Sequence, residues 1–158
     1  MPSFFDEIGD MSLSLQAKLL RVLQDFEFSR LGGHKTITVD ARIIAASNKN
    51  LPEMIRKGDF RSDLFHRLNG VCLSLPPLRQ RNEDILELAE FFLMQCNTKY
   101  NKNIKDISSP VKETFYSYHW PGNVRELKNC LERAVVICEG NCIYPEHLPD
   151  SIANTPIN

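Results

Sequence analysis

Apolar positions in the first part of the chain follow two different periods. Phe4-Phe5 runs directly into Asp6-Glu7, as the end of a buried strand would. After Ser12, the residues Leu15, Leu19, Val22, Leu23 and Phe26 recur at helical spacing and predict an amphipathic helix over residues 13–25. Gly32-Gly33 breaks that pattern, and Thr36-Ile37-Thr38-Val39 alternates like a short strand. The run Ile43-Ile44-Ala45-Ala46 then ends in Ser47-Asn48, the pattern of a buried parallel strand with functional groups at its carboxyl end. Residues 51–57 read as a short helix closed by Gly58, and residues 61–68 as another. Val71-Cys72-Leu73-Ser74-Leu75 is a further strand candidate, stopped by Pro76-Pro77. Alternating strands and helices of this kind imply an α/β lobe.

Beyond residue 82 the strand pattern disappears. Asn82 is positioned to cap a long helix with Glu83 and Asp84 in its first turn and Ile85, Leu88, Ala89, Phe92 and Cys96 on one stripe. Ser109-Pro110 suits a cap followed by proline at the first helical position. Trp120-Pro121-Gly122 reads as a turn, with Asn123 as the next cap and Glu126 completing a capping-box-like pair. The expected organisation is an α/β lobe over residues 1–78, an all-helical lobe over 79–150 and a flexible tail over 151–158.

Composition narrows the function. The formal net charge is −1 and the sequence pI about 6.4, so no global basic field draws the 158-residue chain to nucleic acid or membrane. A nucleotide-independent DNA-binding domain is therefore disfavoured. No apolar run approaches the ~20 residues needed to span a bilayer, and the start has neither a basic segment nor an apolar one, so a cytoplasmic protein is expected. Cys72, Cys96, Cys130, Cys138 and Cys142 are odd in number and lack a C-x-x-C pair, and are expected to be small buried hydrophobes.

Four places carry candidate chemistry. A carboxylate such as Asp6 at the end of a hydrophobic strand could hold Mg²⁺ through water or nucleotide oxygens, and Glu7 could activate a water; both could equally cap a turn. Ser47-Asn48 could bond a γ-phosphate or its water, or simply close the strand. Arg61 stands at a helix start, where the helix dipole opposes a cation, and Arg67 lies ~240° round from it. Those two arginines could reach across a subunit boundary, while Asp63 offers Arg67 an i,i+4 partner. Arg125 falls in a first helical turn, where exposed amides and a guanidinium together suit a phosphate.

These stretches occur in one order: FFDEIGDMSLSLQAKLLRVLQDFEFSRLGG, VDARIIAASN, GDFRSDLFHRL, LPPLRQRNEDI and WPGNVRELKN. Together they resemble the AAA+ domain of bacterial sigma-54-dependent transcriptional activators, the enhancer-binding proteins, over residues 4–150. The resemblance implies part of a P-loop NTPase parallel-sheet lobe followed by a small helical lid. It implies that Asp6-Glu7 are the Walker B pair with Mg²⁺ on Asp6, that Asn48 with Ser47 is sensor I, that Arg61 and Arg67 are arginine fingers, and that Arg125 is sensor II. It also implies that residues 28–39 form the second surface loop, which works with the sigma-contacting loop. Such proteins couple ATP hydrolysis in a ring, typically a hexamer, to remodelling of sigma-54 RNA polymerase.

The chain departs from that family pattern in what it lacks. It contains no G-x-x-x-x-G-K sequence, so the Walker A loop is missing, as is the GAFTGA loop that contacts sigma-54. No receiver domain and no DNA-binding helix-turn-helix are present. The expectation is a fragment of the ATPase, not competent alone. The alternative is a non-catalytic truncated protein that joins activator rings or poisons them.

Overall fold

The computed structural model describes residues 3–25, 27–29, 36–38 and 42–156, in two units, residues 1–73 and 74–158. In the first unit, β1 (Ser3–Phe5) pairs in parallel with β4 (Ile43–Ala45), in the register Ser3↔Ile43, Phe4↔Ile44, Phe5↔Ala45. The ladder extends past both strand ends: Ala46 N–H donates to the Phe5 carbonyl at 2.8 Å and Ile8 N–H to the Ala46 carbonyl at 3.0 Å. Between them the chain forms α1 (Leu13–Asp25) and an antiparallel hairpin of β2 (Glu27–Ser29) and β3 (Thr36–Thr38). Gly32-Gly33, Val39 and Phe26 lie outside the described residues.

The buried face of α1 is rotated from the one expected. Gln16, Leu19, Leu20 and Leu23 are buried, spaced i, i+3, i+4, i+7, whereas Leu15 and Val22 are exposed. That face packs with Ile8, Phe60 and Leu64. Two short helices complete the unit, α2 (Leu51–Lys57) and α3 (Ser62–Leu68). The Asn50 side chain caps α2 by accepting the Glu53 N–H at 3.1 Å, and Gly58 ends it at φ 80, a conformation suited to glycine.

The expected strand at 71–75 is not formed. Val71, Leu73 and Leu75 are each 86% exposed, and no strand among the described residues lies beside them. Alternating apolar residues make a strand only when a neighbouring backbone completes the ladder. Cys72 is exposed with them, so it is not the buried hydrophobe expected; Cys96, Cys130 and Cys138 are buried and Cys142 is half-buried.

The second unit is helical. Its core sits between α4 (Asn82–Tyr100), α5 (Ser109–Ser117) and α6 (Asn123–Ile137), with Ile85, Ala89, Val111, Phe115, Leu127 and Leu131 fully buried. A two-residue parallel bridge joins β5 (Asp106–Ile107) to β6 (Cys142–Ile143). Trp120 is fully buried, and its indole N–H donates to the Phe115 carbonyl at 2.8 Å.

Helix starts fall one residue earlier than expected. Arg81, Ser108 and Gly122 are the caps, while Asn82, Ser109 and Asn123 are already the first helical residues. Glu126 Oε2 accepts the Gly122 N–H at 2.8 Å, so the reciprocal contact exists in shifted register. Asn123 sends its side-chain oxygen to the Leu78 N–H at 2.8 Å and fixes the segment that follows Pro76-Pro77. The residues expected to be a tail continue into α7 (Asp150–Ala153), whose Ile152 is buried against the core.

Candidate functional site

Two turns meet at the carboxyl edge of the β1–β4 pair. After β1, Asp6 accepts the Glu7 N–H on its Oδ1 at 2.9 Å. Glu7 then adopts the left-handed conformation, φ 50 and ψ 42, before a single 3-10 turn at Ile8–Asp10. For a residue with a β-carbon this costs about 1 kcal/mol or more, and it turns the Glu7 side chain away from the strand direction. After β4, Ser47 Oγ accepts the Lys49 N–H at 3.1 Å, which closes the turn that carries Asn48.

The two turns are in direct contact. A β-carbon on Gly9 would lie 2.8 Å from Ser47 Oγ and 3.3 Å from Lys49 Cβ, so a larger residue there would have to displace the Ser47 hydroxyl and shift Lys49. Lys49 Nζ also pairs with Asp10 Oδ1 at 2.5 Å. Asp6, Glu7, Ser47 and Asn48 therefore sit exposed on adjacent loops at the edge where parallel α/β sheets bind ligands. Gly9, Asp10 and Lys49 were not singled out from the sequence. The opposite charges of Asp10 and Lys49 were visible there, but nothing in the spacing joined them.

Arg61 lies elsewhere in the same unit, just before α3. Its Nε and Nη2 donate to Asp63 Oδ1 and Oδ2 at 3.0 and 2.6 Å, a bidentate pair. Asp63 Oδ1 also accepts the Leu64 N–H at 2.8 Å. The hydrogen bonds with Arg61 hold the Asp63 carboxyl below the usual carboxylate range and raise Arg61 above its ordinary value. The helix dipole is thus no obstacle to a cation at this position, because Asp63 in the first turn neutralises it.

The carboxylate considered as a partner for Arg67 is engaged by Arg61. Arg67 Nε and Nη2 both donate to the Leu23 carbonyl, at 3.1 and 2.8 Å, near the carboxyl end of α1. Arg125, in the second unit, is exposed in the first turn of α6, and its side chain makes no hydrogen bond or ion pair among the described residues. Within the first unit the structure thus brings Asp6, Glu7, Ser47 and Asn48 together, and places Arg61 and Arg67 at and within α3.

The chain was compared with known proteins. A family model described as the Sigma-54 interaction domain matches residues 3–74, and one described as the AAA+ ATPase lid domain matches residues 79–157. Regulatory protein AtoC of Escherichia coli K12 is 52% identical over 153 residues, 97% of this chain and 33% of AtoC. The nitrogen fixation protein AnfA of Azotobacter vinelandii is 49% identical over 149 residues, 94% of this chain and 28% of AnfA. Crystallised NtrX from Brucella abortus in complex with ADP superposes with a TM-score of 0.90 at 39% identity, over 98% of this chain and 36% of that one. The chain thus spans about a third of the length of these relatives. Among the described residues no helix is long and apolar enough to cross a membrane.

Proposed function

Because the chain belongs to the AAA+ family of sigma-54-dependent transcriptional activators, we propose that it supplies the acidic pair, first sensor, arginine fingers and lid of an ATPase module that remodels sigma-54 RNA polymerase. In this reading Glu7 orients and deprotonates the attacking water, and Asn48 with Ser47 bonds the γ-phosphate or that water. Arg61 and Arg67 stabilise charge on the nucleotide of a neighbouring subunit in a ring, a hexamer in the family pattern. Arg125 contacts the nucleotide from the lid. Phosphoryl transfer depends on this kind of positioning and charge stabilisation, without a covalent intermediate on the protein. DNA contact belongs to a helix-turn-helix outside these residues, and sigma-54 contact to the family's GAFTGA loop.

Asp6 fits a magnesium ion. One of its oxygens is taken by the Glu7 amide, and the exposed carboxylate keeps its other oxygen for a ligand. Magnesium is commonly held by one or two carboxylates plus water and phosphate oxygens. Bound there, the ion would neutralise phosphate charge.

The observation that carries the proposal is the contact between the turns after β1 and β4. Gly9 against Ser47, with Asp10 paired to Lys49, gives the acidic pair and the amide a fixed common edge. The 158 residues lack a phosphate-cradling loop, so by themselves they are expected to bind nucleotide weakly and turn over negligibly. Turnover by the purified chain that vanished on Glu7→Ala would overturn that expectation. A complete module is obtained by joining the upstream residues of AtoC to this chain. In it, Arg61→Ala or Arg67→Ala is expected to cut hydrolysis by about 10³-fold or more while ATP binding persists. Equal loss of binding and turnover would refute the finger assignment.

A further inference from the structure

Gln16 is a fully buried polar side chain in an otherwise apolar helix face, and the catalytic assignments above leave it without a role. Its Nε2 donates to the carbonyls of Met11 and Asp59, at 2.8 and 3.1 Å, and its Oε1 accepts the Arg61 N–H at 2.9 Å. We propose that Gln16 is a positioning residue for ATP hydrolysis: it fixes the backbone from which Arg61 projects and joins that backbone to the turn carrying the acidic pair. The inference rests on reading Arg61 as a finger that acts on a neighbour's nucleotide.

The network defines its own polarity. Two carbonyls face the amide nitrogen and one N–H faces the oxygen, so a reversed amide would set like against like at all three contacts. Asp59 and Arg61 flank Phe60, which is buried in the same core. The finger's loop is therefore held by its middle side chain and by a polar bond on either side. The Arg61 guanidinium is then aligned by Asp63 in the first turn of α3. At its other end the amide reaches Met11, the residue that closes the 3-10 turn begun by Glu7.

A leucine at position 16 would suit the stripe formed with Leu19, Leu20 and Leu23 and would avoid the desolvation of a buried amide. What the amide supplies is register. It satisfies three backbone groups around an arginine whose reach matters, since a misplacement of about 1 Å in a catalytic group can cost ~10²-fold in rate. Bonds made by a buried amide to part-buried backbone groups are costly to remove, because a leucine offers those groups no substitute.

Two measurements test the assignment. The first uses the 158-residue chain and amide hydrogen exchange. Gln16→Leu is expected to speed exchange at the Arg61 N–H by about ten-fold, while Ala46 N–H in the β1–β4 ladder stays within about three-fold of the original. An unchanged Arg61, or an equal rise at both amides, overturns the proposal, the latter because it marks a role in holding the whole fold.

The second uses the completed module. Gln16→Leu is expected to lower kcat by roughly 10- to 100-fold, with KM for ATP within about three-fold. Gln16→Glu keeps an acceptor for the Arg61 N–H but sets an oxygen against the Met11 and Asp59 carbonyls, so it too should lower kcat. Mixing Gln16→Leu subunits with Glu7→Gln subunits should restore turnover above that of either alone. The second kind supplies sound fingers and the first a sound acidic pair. Absence of that recovery overturns the finger-positioning role, as does a KM effect without a kcat effect. If Arg61→Ala leaves turnover intact, the finger reading fails and the catalytic part of this inference fails with it. The exchange result then still decides whether Gln16 fixes that backbone.

Discussion

Arg61 precedes α3 and Arg67 lies within it, and their different contacts predict separable phenotypes. The Arg61 guanidinium is exposed and its only described charge partner is Asp63, so Arg61→Ala should leave the melting midpoint essentially unchanged. Arg67 bonds the Leu23 carbonyl, one of the last carbonyls of α1, which have no partner within the helix. Its removal should cost about 1 kcal/mol and lower the melting midpoint of the first unit. Thermal unfolding of both variants followed by circular dichroism checks this, and equal midpoints would refute it. The cysteines give a second residue-level prediction. Burial pushes the Cys130 thiol up to about 12 from an ordinary 9.0, so the folded chain retains that proton where the unfolded chain loses it. The resulting stabilisation is complete below pH 9 and is lost as pH rises toward about 12. Stability of the helical unit should therefore fall across that window, and Cys130→Ala should flatten the slope. With an alkylating reagent at neutral pH, Cys72 should label first and Cys96, Cys130 and Cys138 only on unfolding.

At the level of elements, what was legible in the sequence was local. Leu51–Lys57 announced itself through Gly58, and α4 through its apolar stripe, because breakers and periodicity act over a few residues, whereas the Asn50 cap was not read. The rotation of α1 was not legible, since a polar Gln16 lies on its buried face and the exposed Leu15 and Val22 mimic the stripe. The network around Gln16 spans 43 and 45 residues of chain, so no spacing rule could reveal it. The strand expected at 71–75 failed for the same reason, because a ladder depends on its neighbour as well as on its own alternation. Asp6-Glu7 and Ser47-Asn48 were each visible as polar ends of apolar runs, but only the parallel register of β1 with β4 sets them side by side. The start of α6 yields a prediction at this scale. Glu126 accepts both the Gly122 N–H at 2.8 Å and the Tyr118 hydroxyl at 3.0 Å, joining the Trp120 turn to the helix. Glu126→Ala should destabilise the helical unit by about 1–2 kcal/mol, and Glu126→Gln, which keeps an acceptor oxygen, by clearly less. Urea unfolding midpoints at constant slope provide the measurement, and equal losses in the two variants would refute the capping role.

For the whole molecule, the two units differ in how much core their described residues form. Among the described residues, the buried members of the helical unit's core run from Leu78 to Ile152 and include the fully buried Trp120, Phe115, Ile85, Ile107, Leu127 and Leu131. Lys99 and Tyr100 on α4 also converge on Glu132 of α6, with Lys99 Nζ 2.5 Å from Glu132 Oε1. Among the described residues of the first unit the buried apolar cluster has six members, and Phe4, Leu13, Leu15, Val22 and Ile44 remain exposed. Buried apolar area is the dominant favourable contribution to folding, at about 25 cal/mol per Å². The helical unit should therefore fold by itself. Residues 74–158, produced alone, should show a single cooperative melt by far-UV circular dichroism, with dispersed amide resonances and a protected Trp120 indole. Residues 1–73, produced alone, should melt at lower temperature and bind a hydrophobic dye more strongly, through the exposed apolar side chains. A non-cooperative melt of the helical unit would refute the assignment of a self-sufficient core. A first unit as stable as the second would show that its exposed apolar surface is offset by contacts beyond the Ile8–Leu64 cluster.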